Sequence, residues 1–252
     1  MRIIITAAFI FSLSLCNADE SGKNVRIVNI TNNTTNFRDS TSKINSGIDL
    51  GGNKKLEESV VKGSGKTDIK KEKLPAFSEI KVKNGMSIKV DASAGKPELQ
   101  VTGDDNIIPL VKAKVVKGVL NFSYSDSFTT GNALKITVTA PKLKTITATG
   151  ASRVTINKLD VKEIKIIGRQ GTQITASGKA GLLVLVLSNA ASFNGTKLVA
   201  KNAKVKMDIA TSADLNVTDQ VSGTNNLGSC SFVNKPLKNT LKKTMTNIDS
   251  LK

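Results

Sequence analysis

The sequence predicts an all-β fold: a right-handed parallel β-helix (β-solenoid) with coils of about 20 residues, preceded by a disordered leader. Three observations carry this. From residue 77 to 234 the chain alternates apolar and polar residues with strand-like period two, and no window there has a helical period. Nine-residue windows with aliphatic ends and small centres recur at 146–154 (ITATGASRV), 166–174 (IIGRQGTQI), 185–193 (LVLSNAASF) and 207–215 (MDIATSADL), with a weaker fifth at 224–232 (TNNLGSCSF). Aromatic residues make up only 4% of the chain and Trp is absent, which suits a narrow interior filled by stacked Ile, Val, Leu and Ala.

The window starts lie 20, 19, 22 and 17 residues apart. Coils stacked about 4.8 Å apart pair each backbone with the coil above and below, so aliphatic residues at one place align inside. Where the chain turns sharply, neighbouring corners stack and only small side chains fit. Gly150-Ala151-Ser152, Gly171-Thr172, Ala190-Ala191, Ser212-Ala213 and Gly228-Ser229 are read as those corners. The right hand follows from the general handedness of β-crossover-β connections.

The elements follow in order. Residues 1–18 (MRIIITAAFIFSLSLCNA) read as a secretory signal: Arg2 precedes an apolar run too short to span a bilayer, and cleavage after Ala18 leaves small residues at the two recognition places. Lipid attachment at Cys16 is the less favoured alternative, because Leu15 stands before it. Residues 19–74, rich in Asn, Thr, Ser and Gly, read as a low-complexity leader or linker with room for one strand at 25–30. The head domain is 75–234. Its Asn84-Gly85 pair reads as a hairpin turn and Lys117-Gly118 as a second tight turn. Residues 235–252 read as a basic C-terminal tail with room for a short helix after Pro236. With Cys16 removed, Cys230 is the single remaining cysteine, so no internal disulfide is expected; it reads as a small buried hydrophobe.

The stretch from FSEIKVKNGMSIKV through VKGVLNFSYS and LKITVTAPKLKTITATGASRVTI resembles the head GIN domain of auto-transporter adhesins. The opening strand is carried by Phe77, Ile80 and Val82, the next by Gly118, Leu120 and Phe122, and the longer passage by Ile136, Val138, Pro141, Leu143, Ile146 and Gly150. The likeness covers about 77–234. It implies an exported β-helical domain, and it supplies no catalytic residues to transfer. The later coils depart from the family: GRQGT and NAASF lack its usual Ser-Gly pair.

No catalytic signature is visible. The chain has no His, which removes the commonest general base and transition-metal ligand, so Ser152 reads as a corner residue and not as a nucleophile. Asp160 and Glu163 share a corner without a partner acid one coil on, and Asp104-Asp105-Asn106 reads as a turn after a strand. No catalytic residue, metal ligand or cofactor site is assigned.

Charge is the stronger signal. The formal charge is +17, and residues 77–234 hold twenty basic against eleven acidic side chains. Aligning the windows puts Lys158 with Lys197, Lys142 with Lys162, and Lys165 with Lys206, as outward basic rows for anionic polysaccharide or lipid head groups. Specific nucleic-acid binding is not expected, since export and the lack of stacking aromatics oppose it. One apolar stripe stands out: Leu182, Val184 and Val186 point outward while Leu183, Leu185 and Leu187 point in, and the windows place Lys204, Lys206 and Asp208 opposite them one coil later. Such a stripe calls for cover by N-terminal strands, the tail or a second subunit, with intramolecular cover expected ahead of a homo-oligomer; peripheral membrane contact is a candidate through the basic rows. The expected protein is thus an exported, non-catalytic, adhesin-like binding module in the periplasm, on the cell surface or outside the cell. The rival readings are a β-helix enzyme acting on anionic polysaccharide and a self-associating structural envelope protein.

Overall fold

The computed structural model describes residues 60–244, with side chains as far as Lys243, and before them only the backbone of four short strands. Those strands, β1 (Ile4–Ala8), β2 (Ser12–Ala18), β3 (Val25–Thr31) and β4 (Thr34–Asp39), pair as an antiparallel meander in a unit of their own. The side chain of Cys16, the chemistry at Ala18 and most of the leader lie outside the described residues.

The second unit is the β-solenoid. Its ladder is built by β7 (Glu79–Val82), β8 (Ser87–Asp91), β14 (Thr145–Ala148), β15 (Arg153–Arg169), β16 (Gln173–Ser188), β17 (Ser192–Met207), β18 (Ser212–Asn226), β19 (Ser229–Phe232) and β20 (Lys238–Thr244), all paired in parallel. The long strands bend around the coil, and each contributes to more than one side. Burial alternates along them, so each inward position forms a column. One column is Ile80, Ile146, Ile166, Leu185 and Val205; another is Ile88, Val154, Ile174, Phe193 and Ala213, every one of them buried. No single coil could exclude water from these residues. The stack does so because each column is covered from above and below.

The corners are stacked left-handed turns. Gly150-Ala151, Gln170-Gly171 and Asn189-Ala190 all have positive φ, and Ala210 and Leu227 continue the series. The turns bond to one another: the N–H of Ala151 donates to the Gln170 carbonyl at 2.7 Å, and that of Gly171 to the Asn189 carbonyl at 2.8 Å. Beside them Ser152, Thr172, Ala191 and Thr211 are buried in a column. The Ser152 hydroxyl donates to the Thr149 carbonyl at 2.6 Å and that of Thr211 to the Asp208 carbonyl at 2.7 Å. Ser152 is therefore a corner residue with its hydroxyl already committed.

Three expectations change. Asn84-Gly85 is not a hairpin: β7 and β8 do not pair with each other but with β14 and β15, and the N–H of Gly85 donates to the Gly150 carbonyl at 2.7 Å. The pair is the corner of an earlier coil, since two successive positive-φ residues serve a solenoid corner as well as a two-residue hairpin. The fourth window is out of register by two: Leu185 pairs with Val205, not Met207, so the neighbours of Leu182, Val184 and Val186 are Asn202, Lys204 and Lys206. The segment after Pro236 is a strand and not a helix, for β20 continues the ladder beside β18.

Lys117-Gly118 does form the expected tight turn, joining β10 (Val111–Val116) to β11 (Val119–Tyr124) with Val116 opposite Val119. These two strands close the N-terminal end of the solenoid together with β9 (Glu98–Asp104), β13 (Lys135–Thr139), a short pair between β5 (Val61–Lys62) and β12 (Phe128–Thr129), and β6 (Thr67–Lys73). β11 lies parallel to β7, β13 parallel to β8, β9 antiparallel to β13 and β6 antiparallel to β9. β6 falls in the range read as leader, and all seven of its residues are exposed, so its alternation carries no core signal. A polar clasp holds the segment before it. The buried Asp104 carboxylate accepts from the Thr130 hydroxyl and the Asn132 amide, while the Ser64 N–H donates to Asn106 and the Asn106 amide to the Lys62 carbonyl. The Thr130 hydroxyl foremost, then the Asn132 amide, hold Asp104 below the usual carboxylate range.

Candidate functional site

Four basic side chains gather at the turn before β14 and on the coil beside it. Pro141 begins a turn in which the N–H of Leu143 donates to the Ala140 carbonyl at 3.3 Å, a place suited to the fixed φ of proline. Leu143 is buried and anchors the turn, leaving Lys142 and Lys144 exposed on either side of it. One coil on, Ile164 is buried and Val161 half-buried, while Lys162, Glu163 and Lys165 are exposed. The N–H of Lys165 donates to the Lys144 carbonyl at 2.9 Å, which fixes the two segments side by side. Together they enclose an open groove of about 680 Å³ with Pro141, Leu143 and Val161 as its apolar lining and Lys142, Lys144, Lys162 and Lys165 as its cations, against the single acid Glu163. Among the described residues none of these four lysines is in an ion pair; the pairs present are made by Lys66, Lys70, Lys81, Lys158 and Lys201. Four cations held on hydrogen-bonded backbone beside an apolar floor can take a polyanion whose repeat also presents a nonpolar face.

The structure brings only part of the expected basic residues together. Lys142, Lys162 and Lys165 meet in this groove. Lys158 and Lys197 fall at one place, as the windows put them, but outside the groove: the bulge at Asn157-Lys158 lies opposite Ser177, which pairs with Lys197, so Ser177 stands between the two lysines. Lys206 is not in line with Lys165: Lys165 aligns with Val184 and Lys204, and Lys206 with Val186 and Ile167. The cause is the two-residue register difference of the fourth window. Lys144 was missed, although its outward parity beside the buried Leu143 is visible in PKLKTI.

Lys158 instead ties to Asp91, with Nζ 2.9 Å from the carboxylate. That hydrogen bond, followed by the N–H and hydroxyl of Ser93, holds the Asp91 carboxyl down to about 2. A carboxylate depressed in the fold contributes stability that is complete above its ordinary value of 3.8 and is lost as pH falls through about 2. Lys158→Gln is therefore expected to raise the midpoint of acid unfolding while changing stability at neutral pH by less than about 1 kcal/mol, because the Lys158 end of the pair is exposed to solvent screening. Circular dichroism along an acid titration checks this, and coincident curves would show that the pair contributes nothing.

The other sites read from the sequence are dispersed. Asp160 lines a shallow depression with Lys179, Lys201 and Asp219, whereas Glu163 faces the basic groove. Among the described residues no group of three His, Cys, Asp or Glu side chains is placed to hold a metal ion. Burial first, and Asp214 to a smaller degree, push the Cys230 thiol up to about 11, against the opposing charge of Lys243. It is a thiol at neutral pH and packs against the core.

One solved structure shares this architecture. A putative adhesin from Bacteroides fragilis has a crystal structure that matches with a TM-score of 0.56 at 23% identity, over 73% of this chain and 96% of that one, and shows the same fold. A putative adhesin from Parabacteroides merdae matches at 17% identity with a TM-score of 0.42, over 73% and 99% of the two chains. A putative lipid binding protein from Parabacteroides distasonis matches at 14% identity with a TM-score of 0.42, over the same shares. No protein with a curated description matches. Residues 76–233 match the family model described as "Putative auto-transporter adhesin, head GIN domain", and with well over half of its length covered the chain belongs to that family.

Proposed function

We propose that this protein is an exported, non-catalytic binding module that holds an anionic polysaccharide of the cell envelope in the groove between Pro141 and Lys165. The observation that carries the reading is the convergence of Lys142, Lys144, Lys162 and Lys165 on one apolar-floored groove with a single acid among them. Membership in an adhesin family supports export and a binding role. The rigid ladder supports the same reading. A preformed row of cations loses little entropy on meeting a polymer, and successive weak contacts along one polymer accumulate.

The test is retention on immobilised heparin, a stand-in for sulfated and carboxylated glycans, as a salt gradient is applied. Lys142→Gln/Lys144→Gln/Lys162→Gln is expected to elute at distinctly lower salt than wild type, and a uronic-acid polymer is expected to compete where a neutral glucan does not. Lys158→Gln/Lys197→Gln, which removes two lysines outside the groove, is expected to elute close to wild type. Equal shifts for the two variants would mean that net charge alone governs retention, and the groove reading would fail.

A further inference from the structure

The outer face of the sheet beyond the groove carries an apolar island inside a cationic rim. Leu182, Val184 and Val186 of β16 are outward-facing and only partly covered, and the register adds Ile167 of β15 beside Val186. Val184 lies between Lys165 and Lys204, and Val186 between Ile167 and Lys206. Lys165, Lys204, Lys206 and Arg169 are exposed on this face. The two acids next to the island are Glu163, opposite Leu182, and Asp208, which shares a depression with Arg169, Val186 and Lys206. We propose that this face docks on an anionic lipid bilayer, with the four aliphatic side chains in the headgroup–acyl boundary and the lysines and Arg169 on lipid phosphates.

Four observations lead there. Consecutive outward apolar residues along one strand mark this side: on another side the outward positions of the same strands are Gln173, Thr175, Ser192 and Asn194, and Val161 and the exposed Val199 share a depression with Asp160, Lys179, Lys201 and Asp219, so the island is not a general property of the coils. Within the solenoid unit, two segments that could have lain across it run elsewhere, β6 pairing with β9 and β20 with β18. The sign of the rim selects the occupant. A second copy related by a two-fold axis would set a cationic rim against itself, whereas a bilayer with anionic headgroups supplies the opposite charge and an apolar layer beneath it. Geometry suits the same occupant. Neighbouring coils are about 4.8 Å apart, so the lysine stems flank Val184 and Val186 and their ammonium groups reach past them to phosphate level. β16 is hydrogen-bonded on both sides, to β15 and β17, so the surface is already ordered.

This inference goes beyond the groove and does not rest on it, and the test keeps the two apart. The full chain is sedimented with vesicles of phosphatidylcholine alone and of phosphatidylcholine with phosphatidylglycerol. Binding is expected to the anionic vesicles and to weaken with salt. Val184→Thr/Val186→Thr and, separately, Lys204→Gln/Lys206→Gln are each expected to weaken partitioning by about tenfold. Thr keeps the β-branched shape, and the lysine pair is exposed, so at least one variant reports on the folded protein; matching thermal melts identify which. Lys142→Gln/Lys144→Gln/Lys162→Gln is expected to bind vesicles as wild type does. Vesicle binding unchanged in both face variants overturns the proposal, as does equal binding to neutral vesicles. A concentration-dependent dimer in light scattering that Val184→Thr/Val186→Thr dissociates would also overturn it, because the face would then be a self-interface.

Discussion

Gly178→Ala is expected to destabilise the solenoid by more than about 4 kcal/mol, enough to remove the cooperative unfolding transition at ordinary temperature. Gly178 sits in β16 in register with Leu159, immediately after the bulge at Lys158. Its φ is +122°, and a methyl group there would fall inside the van der Waals envelope of the Leu159 carbonyl oxygen and amide nitrogen. Those are backbone atoms of a ladder strand that cannot swing aside, so relief needs movement of a whole coil. Gly171→Ala provides the comparison. Gly171 also has positive φ, at +71°, but nothing lies within 4 Å of the added methyl. The equivalent corner residues in the flanking coils, Ala151 and Ala190, already hold alanine at φ of 56° and 61°. That substitution is expected to cost about 1 kcal/mol, the ordinary preference of alanine against the left-handed region. Thermal melts of the two variants side by side decide the matter; equal losses would show that the close approach at Gly178 relaxes freely.

These two glycines also show what the sequence makes legible. The corner at Gly171 announces itself, because it recurs as Gly150-Ala151 and Asn189-Ala190 at the coil period. The close approach at Gly178 does not, because it depends on a bulge in the preceding coil that shifts register by one residue. The same distinction runs through the chain. Aliphatic alternation identifies the inward columns, since burying one side of every strand writes a period of two into the sequence. Choosing between Val205 and Met207 as the partner of Leu185 is another matter, for both are buried and apolar and only the pairing separates them. Asn84-Gly85 is locally indistinguishable from a hairpin turn, and its partners lie some sixty residues away at Gly150. Lys238–Thr244 carries three lysines in seven residues and reads as a tail, because strands late in a ladder carry charge that discourages further pairing. The groove is half legible for the same reason. Lys142 and Lys162 align by the coil period, while the value of Lys144 rests on Leu143 being buried beside it.

Phe193→Ala carries the second large effect, a loss of about 3–5 kcal/mol in urea unfolding. The ring is fully buried in the column formed by Val154, Ile174, Phe193 and Ala213, where it is the one aromatic side chain. Its bulk is matched by small neighbours. Ala213 stands in the next coil, and a methyl group on Gly195 would come within 2.5 Å of the ring. Truncating the ring leaves a void that backbone hydrogen bonds to β16 and β18 prevent from closing, so both transfer and cavity contributions are lost. The column also predicts a partial rescue. Phe193→Ala/Ala213→Leu returns volume one coil away, at about 4.8 Å along the stack, and is expected to recover part of the loss. Additive losses in the double-mutant cycle would mean that the two coils do not share one cavity. Because a solenoid's coils interact chiefly with their neighbours, the damage is centred away from the Pro141–Lys165 groove. Phe193→Ala protein that remains folded at low temperature is therefore expected to keep wild-type heparin elution, which separates a stability defect from a binding defect in the same molecule.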